Sequence, residues 1–167
     1  WGIRVSKYSS STRSFKDVVI HKLACMLSRK ADLVIANNRR GLIQFQEVGY
    51  VLRSSEVILN GIDSEWFKFR KDLRTVLRDQ LNITNDTIVI GQMARVVKEK
   101  GHETLIKAVS LLKRKYNIQN IVILFIGRGR EALIEELTEL HKSLNPETKL
   151  LWLGQRSDSK TILSACD

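Results

Sequence analysis

Two cysteines, Cys25 and Cys166, are all that 167 residues contain, and they lie far apart without metal-ligand spacing. That excludes a disulfide framework or a cysteine metal cluster, and free buried thiols in a reducing compartment are expected. Histidine is equally sparse: His21, His102 and His141 have no serine, cysteine or carboxylate at motif spacing, so a hydrolytic triad has no support. His102 is expected to help start a helix rather than do chemistry. No metal site is visible. No apolar run approaches the length of about 20 residues that a transmembrane helix needs. Neither a signal peptide nor an internal repeat is found. The one proline, Pro146, follows Asn145 and marks a break in the chain. The sequence opens on Trp1 without a methionine, and a fragment is expected.

What is present suffices for a sizeable core: 43% of residues are apolar and 28% charged, and nothing suggests disorder. The net charge of +10 is uneven. Residues 1–55 hold ten Lys and Arg against Asp17, Asp32 and Glu47. Such a balance suits an anionic partner (membrane surface, nucleic acid or phosphorylated substrate) or else a solvated basic face.

Hydrophobic spacing predicts a helix over Phe15–Ser28, with Phe15, Val18, Val19, Leu23, Met26 and Leu27 on its apolar side. Before it, Gly2-Ile-Arg4 reads as the end of a strand and Ser9–Thr12 as a loop. A strand is expected over 31–36, a helix capped by Asn37 or Asn38 and ended by Gly49, and a strand over 53–59. Lys68–Leu81 reads as a charged helix with Leu73, Val76, Leu77 and Leu81 on one face. Strands are expected over 87–93, 120–126 and 150–153. Helices are expected from Glu103, over 131–144 and from Lys160. Strand and helix alternate, which gives parallel doubly wound sheets.

The informative stretch runs from Thr87 to Leu105. A strand leads through a basic turn into a helix, which places loop residues at the carboxyl edge of a sheet, where ligands bind in open α/β folds. Gly91 allows close approach to the backbone. Arg95 and Lys100 put two cations beside a helix N-terminus, an arrangement suited to a diphosphate. Lys98 is as basic, but the pattern does not require it.

Gly91-x-x-x-Arg95, then Glu99-Lys-Gly101 and an amphipathic helix, resembles the nucleotide-sugar loop of retaining GT-B glycosyltransferases of family 4. Val96 and Val97-Lys98 stand where that family more often has a leucine and a proline. A second block supports the resemblance: Ala31-Asp-Leu-Val-Ile-Ala-Asn37, then Val57-Ile-Leu-Asn-Gly-Ile-Asp63 with Trp66-Phe67. It is similar to the end of the acceptor domain running into the interdomain linker, with Leu59 in place of the usual proline and Asn38 in place of a common serine.

The resemblance implies a Rossmann-like acceptor domain ending at 1–59, a linker at 60–67 and a truncated donor-binding domain at 68–167. It further implies transfer of a sugar from a nucleotide-sugar such as a UDP- or GDP-sugar, with retention. The acceptor would be of polysaccharide, lipopolysaccharide or lipid-linked type, and neither cofactor nor metal would be needed. Arg95 and Lys100 would hold the donor diphosphate and stabilise its departure, so they are the expected catalytic residues. Gly91, Gly127, Gly129, Gln155 and Arg156 complete the expected donor-binding set. The two at 155 and 156 follow a strand and turn, Leu151-Trp-Leu-Gly154, similar to the one whose backbone receives the base. A cytoplasmic enzyme at the membrane face is expected, with no nucleic-acid partner, and the fragment alone is expected to be inactive.

Gly127-Arg128-Gly129-x-x-Ala132 also fits the G-x-G-x-x-A dinucleotide fingerprint. An NADP-binding oxidoreductase is therefore the alternative, with Arg156 near the 2′-phosphate. A basic nucleic-acid or membrane module without catalysis is a further one. The family's turn at 127–129 usually carries Asp where this chain has Arg128. Glu131 and Glu139 have E-x7-E spacing but lie in the wrong place, and with Glu135 and Glu136 they read as a solvated acidic surface.

Overall fold

The computed structural model describes residues 1–4 and 15–167; the Ser9–Thr12 loop read from the sequence lies outside them. The chain divides into two compact units, Trp1–Ile62 and Asp63–Asp167, so the division falls within the 60–67 segment.

The first unit carries a parallel sheet in the order β1 (Gly2–Ile3), β2 (Val34–Ala36), β3 (Ser55–Val57), with helices α1 (Phe15–Ser28) and α2 (Arg39–Glu47). Strands β2 and β3 are shorter than the sequence suggests. Ile3, Val34 and Ala36 form a small core with Leu42 and Phe45 of α2 against it, whereas Ile35, on the opposite face of β2, is exposed. Asn38 caps α2: its Oδ1 accepts from the Gly41 N–H at 2.6 Å. Gly49 follows that helix at φ +100°, a backbone region that glycine enters without a Cβ clash. α1 has the expected bounds but not the expected burial. Phe15, Val19, Leu23, Met26 and Leu27 are exposed, and Ser28 is its buried residue. Spacing creates an apolar face, but burial requires a partner for it, and the described residues of this unit leave that face open.

The second unit is a three-layer α/β sandwich. Strands β4 (Ile88–Met93), β5 (Ile121–Ile126) and β6 (Lys149–Gly154) pair in parallel in that order. β5 is the central strand, buried at every residue, as its unbroken apolar run predicts. Its side chains alternate between two cores. Val122, Leu124 and Ile126 pack with Leu77 of α3 (Lys71–Gln80) and Ile162 and Ala165 of α6 (Ser159–Ala165). Ile121, Ile123 and Phe125 pack with Ile106 and Val109 of α4 (His102–Tyr116) and Leu137 of α5 (Glu131–Leu144). Helices on both faces hold the strands' carboxyl ends and their loops in one row.

The stretch 87–93 reads from sequence as a buried strand, and this and two other local readings change. β4 is an edge strand of this sheet with only Val89 buried, because nothing in the described residues pairs with its free side. In α3 Val76 is 52% exposed, while the neighbouring Arg78 is 1% exposed. Every arm of its guanidinium has a partner there. Nη1 donates to the Thr84 and Thr87 carbonyls at 3.0 Å, Nε to Ala165 O at 3.1 Å, and Nη2 to Asp167 Oδ2 at 2.6 Å. Asp167 also pairs with Arg74 and accepts from the Val89 N–H. Burial pushes its carboxyl up, but that N–H and the two arginines outweigh it and hold the group below the usual range. Asn145, read as a break, is buried, and its Nδ2 donates to Ile106 O at 3.1 Å; it ties α5 to α4.

Candidate functional site

Two loops leave the carboxyl ends of β4 and β5 and run side by side. The first, residues 94–101, continues the sheet as an isolated parallel bridge, with Val96 pairing to Gly129 of the second. The Ala94 N–H donates to Ile126 O at 2.9 Å and the Val96 N–H to Arg128 O at 2.8 Å. Lys98–Lys100 then makes one 3-10 turn, closed by Gly101 at φ +72°, from which α4 begins at His102. The side-chain amide of Gln92 donates to Lys100 O at 2.6 Å and braces the turn from below.

Arg95 and Lys100 therefore share one braced loop at the sheet edge beside the N-terminus of α4, a location that favours anions. Both are exposed. Neither side chain makes an ion pair or hydrogen bond within the described residues. In the same unit Arg70, Arg74, Arg78 and Arg156 are each paired with an aspartate.

Gly127 and Gly129 prove essential to the loop pair itself. A Cβ at Gly127, whose φ is +148°, would lie 1.9 Å from Ala94 O. One at Gly129 would lie 2.4 Å from the Val96 Cβ. The glycine spacing thus has a packing cause, which removes the ground for reading it as a dinucleotide fingerprint. Gly91 has a similar cause: a Cβ there would be 2.5 Å from the Cys166 sulfur. Gln155 is exposed at the end of β6, just after Gly154 at φ +64°. Arg156 beside it is exposed and pairs with Asp158 through two hydrogen bonds of 2.8 and 2.7 Å, from Nε and Nη2.

His102 is 2% exposed and packs edge-on against Phe125 at 4.8 Å between centroids. Both its ring nitrogens are buried without a hydrogen-bond partner among the described residues. Burial lowers its pKa, so the ring is neutral and acts as an aromatic floor beneath the loop. His141 is likewise lowered by burial and then by Lys113. His21 is less isolated than its sequence context suggests: the Cys25 sulfur, one helical turn on, lies 3.5 Å from its Nε2. Cys166 is a free thiol, and both it and Cys25 are only half-buried. Glu131, Glu135, Glu136 and Glu139 are exposed along α5.

Residues missed by sequence reasoning line a hollow of about 480 Å³ on this loop pair: Lys98, Arg128 and Arg130 join Arg95 there, with Glu99 as the one carboxylate. Arg130, one residue beyond the glycine pair, was the available signal. Among the described residues no three of His, Cys, Asp or Glu converge as metal ligands, and no helix is long and apolar enough to cross a membrane.

Residues 74–167, the span that contains both loops, match the family of glycosyl transferases group 1. The chain belongs to that family. It is 28% identical over 155 residues to a Campylobacter jejuni transferase, N-acetylgalactosamine-N,N'-diacetylbacillosaminyl-diphospho-undecaprenol 4-alpha-N-acetylgalactosaminyltransferase. That alignment covers 92% of this chain and 38% of the relative. Over 93 residues it is 33% identical to the Staphylococcus aureus capsular polysaccharide biosynthesis glycosyltransferase CapM, covering 55% of this chain and 23% of that one. Among solved structures, Anabaena Alr3699/HepE in complex with UDP and glucose superposes with a TM-score of 0.79 at 25% identity, covering 99% of this chain and 44% of that one. The chain thus spans about two-fifths of the C. jejuni relative and of HepE. Family membership, together with the packing cause of the glycines, displaces both the oxidoreductase and the non-catalytic alternatives.

Proposed function

We propose that this chain forms part of a retaining GT-B glycosyltransferase of family 4 that moves a sugar from a nucleotide-sugar to a carbohydrate or lipid-linked acceptor. The observation that carries this is the pair of unpaired cations, Arg95 and Lys100, on one braced loop at the sheet edge beside the α4 N-terminus. A departing nucleoside diphosphate gathers negative charge as the glycosidic bond breaks. A guanidinium that binds two oxygens, a compact ammonium and the helix N-terminus stand on one braced backbone, so they can meet that charge without the loop reorganising. A metal is unnecessary on this reading. The base lies at the β6 end, over Gln155 and the backbone of Arg156. UDP is the favoured nucleotide, since HepE carries it in its complex. The acceptor is of polysaccharide or glycolipid type, by analogy with CapM and the C. jejuni transferase. The basic residues of 1–55 would face anionic lipid at the cytoplasmic side of the membrane.

In the intact protein, UDP or GDP should raise thermal stability, because a ligand that binds only the folded state shifts unfolding. Arg95→Ala and Lys100→Ala should each lower turnover about a hundredfold or more. Lys107→Ala is the control, since its pair with Glu103 is exposed on both sides and contributes little. Protection by NADPH alone, or near-normal turnover in a stable Arg95→Ala protein, would refute the reading.

A further inference from the structure

We propose that Lys98, Arg128 and Arg130 form a second anion site that takes the phosphate or diphosphate group of a molecule other than the donor. It rests on the functional reading in one respect, the assignment of the donor diphosphate to Arg95 and Lys100.

The hollow between the two loops is lined by Arg95, Lys98, Arg128 and Arg130 against Glu99 alone. Lys100 does not line it, so the hollow reaches beyond the loop position that Arg95 and Lys100 share. At about 480 Å³ it falls in the size range of small-ligand sites. Like charges gathered on adjoining loops repel one another, and elsewhere in this unit the arginines at 70, 74, 78 and 156 relieve such repulsion by pairing with aspartates. Here, among the described residues, no carboxylate makes a close ion pair with Lys98, Arg128 or Arg130, and only Glu103 feels Lys98 at longer range. The cations also stand on fixed backbone: the Val96–Gly129 bridge and the contact of Gly127 with Ala94 lock the loops together. A bound anion therefore need not order them first. Two guanidiniums and an ammonium match the oxygens of a phosphate or diphosphate, each arginine able to bind two at once. Val97 and Leu133 complete the wall with apolar surface.

The test is calorimetric titration of pyrophosphate into the intact protein held at saturating UDP. One further equivalent should bind, more weakly as salt is added. The double variant Arg128→Ala/Arg130→Ala should weaken that step at least tenfold and leave the UDP titration within about threefold. A parallel arm uses vesicles whose lipid carries a phosphate monoester headgroup. Sedimentation lost in the double variant identifies a lipid as the source, and soluble binding without sedimentation identifies a free phosphate compound. Pyrophosphate that only competes with UDP, or a double variant that keeps the second step, would overturn the site. Failure of UDP to bind would count against the donor reading instead. Comparing pyrophosphate binding by wild type and double variant would then still decide this site.

Discussion

Replacing Gly127 by alanine should destabilise the second unit more than any other single methyl added at a glycine on its loop rim. Two effects combine. The φ of +148° lies in a region nearly exclusive to glycine, and holding another residue there costs about 1–3 kcal/mol. The new Cβ would also meet Ala94 O at 1.9 Å, where real contacts keep at least 3.0 Å. The 94–101 loop must then retreat by about 1 Å, an overpacking that typically costs another 1–3 kcal/mol. The expected loss is roughly 2–6 kcal/mol out of the 5–15 of an ordinary domain. Two further variants set the scale. Gly129→Ala meets Val96 at 2.4 Å without a positive φ to preserve, and Gly154→Ala has φ +64° with nothing within 4 Å. The order of loss should be Gly127, Gly129, Gly154, with the last near 1 kcal/mol. Urea unfolding of the intact protein, read from the midpoint at constant slope, measures all three. Because the retreating loop carries Arg95, UDP binding should weaken in parallel. A Gly127→Ala protein within 1 kcal/mol of wild type, or no less stable than Gly154→Ala, would show that the loops are not packed as described.

Other outcomes follow from the buried polar groups and from the charge distribution. Arg78→Ala should cost about 3 kcal/mol or more, since it removes a donor from the carbonyls of Thr84, Asn85, Thr87 and Ala165 and the buried one of the two arginines that face Asp167; a loss under 1 kcal/mol in urea unfolding would refute the arrangement. His102 and His141 have pKa values lowered by burial, so the unfolded chain binds more protons once the pH falls below the usual histidine value near 6.5. Stability should therefore be full above that pH and decline below it, by at most about 1.4 kcal/mol per pH unit and per histidine. His102→Phe should flatten the decline, and an unchanged profile would count against a neutral buried ring. Intact protein should co-sediment with anionic vesicles and release as salt rises; salt-sensitive binding to duplex DNA without lipid binding would instead indicate a nucleic-acid surface.

Where the sequence could be read, one dominant signal was sufficient. The β-branched run 121–126 had no alternative to a doubly covered strand, and the alternation around it implied the three layers. Arg95 and Lys100 could be located because a strand end and a helix start bracket them. Elsewhere the deciding partner was remote. Nothing near Arg78 announces that its guanidinium will meet Asp167, 89 residues away, so its neighbour Val76 took the inward position on periodicity alone. Glycines invite a ligand explanation because they open space, whereas here the space over Gly91, Gly127 and Gly129 is filled by Cys166, Ala94 and Val96. The hollow with Lys98, Arg128 and Arg130 required knowing that two loops thirty residues apart lie in register. In α1 the period was right, but a period carries no information on what covers the face.

The clamp of Arg78 on Asp167 also sets an order of events during synthesis. α3 is made early, yet Leu77 finds Ile162 and Ala165, and Arg78 its carboxylate, only when residues 162–167 have emerged. At about 5–20 residues per second the ribosome needs roughly 4–18 s to cover that distance. For that interval an amphipathic helix with an apolar stripe and an unmatched guanidinium is presented to whatever binds nascent chains. Slowing elongation between α3 and α6 should lengthen that exposure, while the β4–β5 pairing, which needs no residue beyond 126, can already be complete.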